Sequence, residues 1–219
     1  MGVISSEKYT RTLKSLANPR VVAVFFLGFA SGLPLALAGG TLQAWMAVEG
    51  VDLKTIGFFS LVGLPYALKF FWAPLLDRYA LPFLGRRRGW ILGTQLALMI
   101  LIVMLGFTSP KDTPWLVALF ALLLTFTSAS QDIVFDAYRT DVLREKERGL
   151  GAAVSVTGYR IAMLASGALA LILAGPLGWR LTYLLMAGLM LIGTMATIFG
   201  PEPEKTVRPP QSLKEAISG

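Results

Sequence analysis

The chain contains neither cysteine nor histidine. Without cysteine there is no disulfide, no thiolate metal site and no thiol nucleophile. Without histidine the commonest general base and the commonest metal ligand are both missing. Carboxylates could still hold a metal, but they show no ligand spacing, so neither cofactor nor metal is expected. No serine has a recognisable base nearby, which leaves a membrane-embedded enzyme little chemistry to use, and an enzyme is not expected. Charge is scarce as well: 15% of the 219 residues are charged, against about a quarter in soluble domains.

What is abundant is apolar. Hydrophobic residues make up 55% of the chain and fall in blocks of about twenty, the helical length that crosses a hydrocarbon core of roughly 30 Å. The blocks lack the ten-residue alternation of a membrane β-barrel. The expected class is therefore an all-α polytopic membrane protein. Six spans are expected, at roughly 20–45, 55–76, 89–108, 114–136, 150–175 and 179–199. The first run exceeds twenty residues and others follow it, so it reads as a retained span and not a cleaved signal peptide. This gives three regions: a cytoplasmic segment 1–19, a helical bundle 20–200, and a Pro-rich, charged linker 201–219.

The formal net charge of +7 can suggest nucleic acid, but its placement points elsewhere. With the N-terminus in the cytoplasm, 15 of the 20 Lys and Arg fall in inside segments and only Lys54, Lys111 and Arg180 in outside loops. That bias orients membrane proteins. It puts both termini in the cytoplasm, explains the basic balance by topology, and removes the case for nucleic acid.

Four charges lie within the expected spans. At a rise of about 1.5 Å per residue, Lys69 sits about 12 Å, Asp132 about 10 Å, Asp136 about 5 Å and Arg160 about 15 Å from the inner surface. A charge at the centre of a membrane helix costs roughly 3 kcal/mol, so these four should face one another and not lipid. Asp132 and Asp136, four apart, share a helical face. Arg160 is the expected partner of Asp132, with Lys69 joining the network or snorkelling inward. Two readings fit: ion pairs that only orient helices, or a polar pathway in which one carboxylate binds and releases a proton.

The remaining spans differ in character. Spans three and six carry almost no polar residue besides Gln95 and read as lipid-facing supports. Gly28, Gly32, Pro34, Gly39 and Gly40 allow the first span to bend and neighbours to approach closely. Gly158, Ala162, Ser166, Ala170 and Ala174 recur every fourth residue, a close-packing face. "SLVGLPYALK" in span two and "SVTGYR" in span five share a Ser–Gly–Tyr–base order, which suggests an inverted repeat of three helices plus three.

The loop "APLLDRYALPFLGRRRGW" resembles the loop motif of the major facilitator superfamily. Ala73, Asp77, Arg78, Gly85, Arg86 and Arg87 fill its roles, although Ala stands where Gly is usual and about five extra residues precede Gly85. Longer segments are similar to one branch, the AmpG-type muropeptide permeases: "LGFASGLPLALAGGTLQAWM", "DLKTIGFFSLVGLPYALKFFWAPLLDRY", "FLGRRRGW", "SASQDIVFDAYRTDVL" and "ERGLGAAVSVTGYR".

The resemblance implies proton-driven import of anhydromuropeptides across the bacterial inner membrane, feeding peptidoglycan recycling and influencing β-lactamase induction. It implies proton coupling at Asp132 or Asp136, and substrate binding by Gln43, Gln131 and Tyr159. Arg160 would pair with a carboxylate. Asp77 would clip the cytoplasmic helix ends, with Arg139 or Arg148 as partner. Members of the superfamily have at least twelve spans in two halves, so this chain is expected to be an N-terminal half that is truncated or pairs with a separate C-terminal half. A carrier similar to the acetyl-coenzyme A carriers and a non-transporting membrane scaffold are the competing readings.

Overall fold

A computed structural model describes residues 16–79 and 84–203, without the side chain of Arg86. Most of the expected segments 1–19 and 201–219 thus lie outside the described residues, as do 80–83 of the motif loop. The described residues form helices and connecting turns, with no strand among them. They comprise α1 (Pro19–Ala38), α2 (Gly40–Val48), α3 (Leu53–Phe58), α4 (Leu64–Leu68), α5 (Ala73–Arg78), α6 (Arg86–Gly106), α7 (Pro114–Val142), α8 (Arg148–Leu164) and α9 (Ala170–Phe199).

Helix α1 starts where sequence chemistry favours a start. The Asn18 side chain accepts a hydrogen bond from Arg20 N at 3.0 Å, and Pro19 occupies the first turn, where its missing N–H costs nothing. Every residue from Leu27 to Pro34 is buried, the pattern of a helix surrounded on all sides. The largest fully buried side chains, including Leu27, Leu33, Leu37, Leu42, Tyr138 and Tyr183, lie along or against it.

Four helical segments are long and apolar enough to cross a membrane: Pro19–Val48, Arg87–Gly106, Pro114–Val142 and Glu145–Phe199. The last contains Gly178 at φ 76°, ψ 161°, a backbone state open to glycine and strained for other residues. There the chain turns back. Before the turn it runs parallel to α1: Gly28 lies on Ser155, Gly32 on Tyr159, and Ala36 beside Gly167. After the turn it runs antiparallel to α1, with Trp179 on Trp45, Tyr183 donating to Leu37 O, and Gly193 on Ala30.

The expected second helix, 55–76, is not continuous. Residues 53–78 form α3, α4 and α5 separated by 3₁₀ turns at Phe59–Gly63 and Lys69–Phe71. Pro65 and Pro74 sit at the starts of α4 and α5, and each lacks the N–H a continuous α-helix would need. Beside Pro65, the α7 hydroxyl of Thr125 donates to Val62 O at 2.7 Å. The segment runs parallel to α7: Val62 meets Thr125, and Tyr66 meets Ser128.

The small-residue face is used as expected. Gly158, Ala162, Ser166, Ala170 and Ala174 are all buried, several of them against α1. The two expected supports pack on each other: Thr197 Oγ1 donates to Gln95 Oε1 at 2.8 Å. Many large apolar side chains point outward, among them Ile100, Leu122, Phe126, Ile172 and Met195, as a hydrocarbon solvent requires.

Candidate functional site

Helix α7 carries the site because it outlasts the apolar block. It continues through Arg139 to Val142, so Asp132, Phe135, Asp136 and Arg139 stand on one face at helical spacing. Together with Ser31 of α1 and Ser155, Val156 and Tyr159 of α8 they line a cavity of about 210 Å³. Asp132 accepts a hydrogen bond from the buried Ser31 hydroxyl. Asp136 pairs with Arg139, one turn along the same helix, at 3.0 Å. Arg139 also donates to Ser155 Oγ at 3.5 Å. Two carboxylates and one guanidinium therefore share a small polar chamber with a tyrosine.

The expected Asp132–Arg160 pair does not form. Arg160 is exposed, lies outside the cavity lining, and has no ion pair among the described residues. The reason is angular. Ser155, Val156 and Tyr159 turn one side of α8 to the cavity, and Arg160 lies about 100° further round. Lys69 is half-buried and forms no ion pair either, but it is near enough for its charge to act on Asp132. Gln131 is buried at 1% exposure, and its Oε1 accepts no hydrogen bond among the described residues. Gln43 is half-buried on α2, away from the cavity.

The loop motif forms a different clip from the expected one. Asp77 meets Arg87 at 2.5 Å, and the same guanidinium reaches Asp141 at 3.3 Å. Arg87 thus ties the ends of α5 and α7, while Arg139, expected there, serves the cavity instead. Arg78 lies over the Tyr79 ring at 5.6 Å. Arg88, which follows Arg87, is 8% exposed and donates to Thr197 O at 2.8 Å and Ile198 O at 2.6 Å. It satisfies carbonyls left over at the end of α9.

Sequence reasoning missed Ser31, Ser155, Asp141 and Arg88. Ser31 had one available signal, a lone hydroxyl inside an otherwise apolar and glycine-rich helix. Among the described residues no cluster of carboxylates is arranged to hold a metal.

A helical bundle with apolar outer faces and a charged chamber between helices is the build of a membrane transporter. The sequence pattern of the Major Facilitator Superfamily matches residues 24–218, and the chain belongs to that family. It is 56% identical over 94% of its length to the anhydromuropeptide permease of Escherichia coli K12, covering 42% of that protein. It is 43% identical to an uncharacterized protein of Haemophilus influenzae, over 90% of this chain and 44% of the other. It is 33% identical to the putative transporter AmpG 4 of Rickettsia conorii, over 89% and 48%. The chain spans less than half the length of these relatives.

Proposed function

We propose that this chain forms six spans, arranged three plus three, of a proton-driven importer of anhydromuropeptides in the bacterial inner membrane. The end bearing Arg20, Arg87, Arg88 and Arg144 faces the cytoplasm, as do both termini. A C-terminal six-helix half completes the transporter. Alternation supports the six spans: α1, α6 and α8 run one way, while the 53–78 segment, α7 and the stretch after Gly178 run the other. The basic excess at one end supports the orientation. Identity of 56% to a permease of that name supports the substrate.

The observation that carries the reading is the chamber around Asp132. Asp136 already faces a guanidinium at 3.0 Å. Asp132 has a hydroxyl donor and no ion pair among the described residues, so we assign the exchangeable proton to Asp132. Its Ser31 bond joins α1 to α7, so a change in its charge alters a contact between two helices. Tyr159, on the cavity wall, and Gln131, whose buried Oε1 has an unmade hydrogen bond, are our candidates for binding a polar substrate. Arg160, outside the chamber lining, serves the apposed C-terminal half or substrate bound against it, and Lys69 supplies positive charge near Asp132. Asp77, Arg87 and Asp141 close the cytoplasmic ends of the helices. Gln43 serves the opposite mouth.

The test is uptake of labelled anhydromuropeptide by the full transporter carrying this sequence, in cells lacking their own permease. Uptake should collapse when the proton gradient is dissipated and in Asp132→Asn, and excess acetyl-coenzyme A should not compete. Undiminished, gradient-independent uptake in Asp132→Asn would refute the coupling assignment. Failure of the parent to take up anhydromuropeptide would refute the substrate.

A further inference from the structure

Helices α1 and α8 touch through their backbones. A Cβ built on Gly28 would lie 2.5 Å from Ser155 O, one on Gly32 would lie 2.5 Å from Tyr159 O, and one on Gly158 would press on Phe25 O. Backbones in contact over two turns cannot slide or part without losing the whole interface. This half of the pair behaves as one body.

The lock ends at one level, and both helical passes break there. The first pass leaves α-helical geometry at Gly39, with φ −101° and ψ −112°, and restarts as α2. Pro34, a turn earlier, has no N–H to return to the preceding turn. The other pass leaves α8 at Leu164 and makes a π-turn, Ala165–Leu169, before α9. Such turns interrupt the regular hydrogen-bond ladder and recur at functional sites. The two breaks are adjacent: Thr41 Oγ1 donates to Ser166 O at 2.7 Å. The backbone-to-backbone approach is not repeated there: a Cβ on Gly167 would meet only the Ala36 side chain, at 4.0 Å.

We propose that Gly39–Thr41 and Ala165–Leu169 form a paired hinge, about which α2 and residues 170–177 swing together while the glycine-locked halves stay fixed. The Thr41–Ser166 bond couples the two sides. Beyond the hinge the contacts are between side chains. Trp45 stacks on Trp179 at 5.6 Å and tilts on Tyr183 at 5.3 Å. Trp179 and Tyr183 lie one turn apart on the helix that follows the Gly178 turn, outside the swinging part, so both aromatic contacts of Trp45 change when the hinge moves. The inference goes beyond the functional reading, since it locates the moving part at the end opposite Arg87 and Arg88 and needs no particular substrate.

The lever sets the size of the motion. Nine residues of α2 span about 13 Å, and a bend of about 25°, ordinary for a kinked helix, carries Val48 about 6 Å. These 219 residues contain no cysteine, so paired spin labels can be placed in them within the reconstituted full transporter once any cysteine of the remaining half is replaced. Val48→Cys with Trp115→Cys, both exposed, reports the swinging end. Val22→Cys with Ile161→Cys, also exposed, reports the locked half.

The first pair should give a broad or two-peaked distance distribution spread by about 6 Å, and the second a narrow one. Gly39→Ala with Gly40→Ala, which favours an unbroken helix, should narrow the first. A Val48–Trp115 distribution as narrow as that of Val22–Ile161, with and without added anhydromuropeptide, would overturn the hinge. So would equal movement of both pairs. Uptake is scored separately: motion without transport removes the functional reading alone, and transport without motion removes the hinge alone.

Discussion

Replacing Gly28 and Gly32 together by Ala tests whether backbone contact holds α1 against α8. Each new Cβ would sit 2.5 Å from a carbonyl oxygen of α8, where even a close C···O contact needs about 3.3 Å. The helices must separate by about 0.8 Å, and backbone atoms cannot rotate away as a side-chain tip can. Overpacking of this kind costs about 1–3 kcal/mol per site. Ala returns nearly 1 kcal/mol per site through its better helix propensity, which leaves a net loss of about 2 kcal/mol for the pair. At this chain length that lowers the melting temperature by about 4–8 °C.

Gly188 in α9 provides the control, because nothing lies within 4 Å of a Cβ there. Gly188→Ala keeps the propensity gain with no clash, and should melt at or above the parent temperature. Thermal unfolding of the reconstituted protein, followed by loss of monodisperse material, measures both. A Gly28→Ala, Gly32→Ala double variant that melts with Gly188→Ala would refute the claim that these glycines are there for close approach.

Two further outcomes follow from particular contacts. Arg88→Met removes two charge-assisted bonds to Thr197 O and Ile198 O, at about 1.5–3 kcal/mol each. It should expose Gly200–Pro203 to limited proteolysis while Arg87→Met leaves that segment protected. Asp52 caps α3 through Thr55, whose hydroxyl and amide hold the Asp52 carboxyl below the usual carboxylate range. Because the folded value is depressed, the cap's contribution is present above the ordinary carboxylate pKa and is lost as pH falls through the depressed one. Protection of the Thr55 amide, its exchange measured against the intrinsic rate at each pH, should therefore be high at neutral pH and fall in acid, and Asp52→Asn should abolish that pH dependence.

The sequence by itself determined what each helix does to its own residues. The length of apolar blocks gave the helical class. A period of 3.6 residues put Asp132 and Asp136 on one face, and a four-residue recurrence of small side chains marked the surface that meets α1. The chain reversal near residue 178 was legible in the gap between the apolar blocks 150–175 and 179–199. Only the tertiary structure decided how helices turn toward one another. Periodicity fixes angles within a helix and says nothing of its rotation relative to a neighbour. That rotation puts Tyr159 on the cavity wall and Arg160, about 100° further round the same helix, outside it, and leaves Asp132 a serine on α1 as its partner. The same indeterminacy moved Arg139 from the loop clip to the cavity and gave Asp77 to Arg87. The broken second segment has a related cause. Prolines can be read from sequence, but whether a neighbour such as Thr125 supplies a donor where the chain departs from the α-helix depends on what packs beside it.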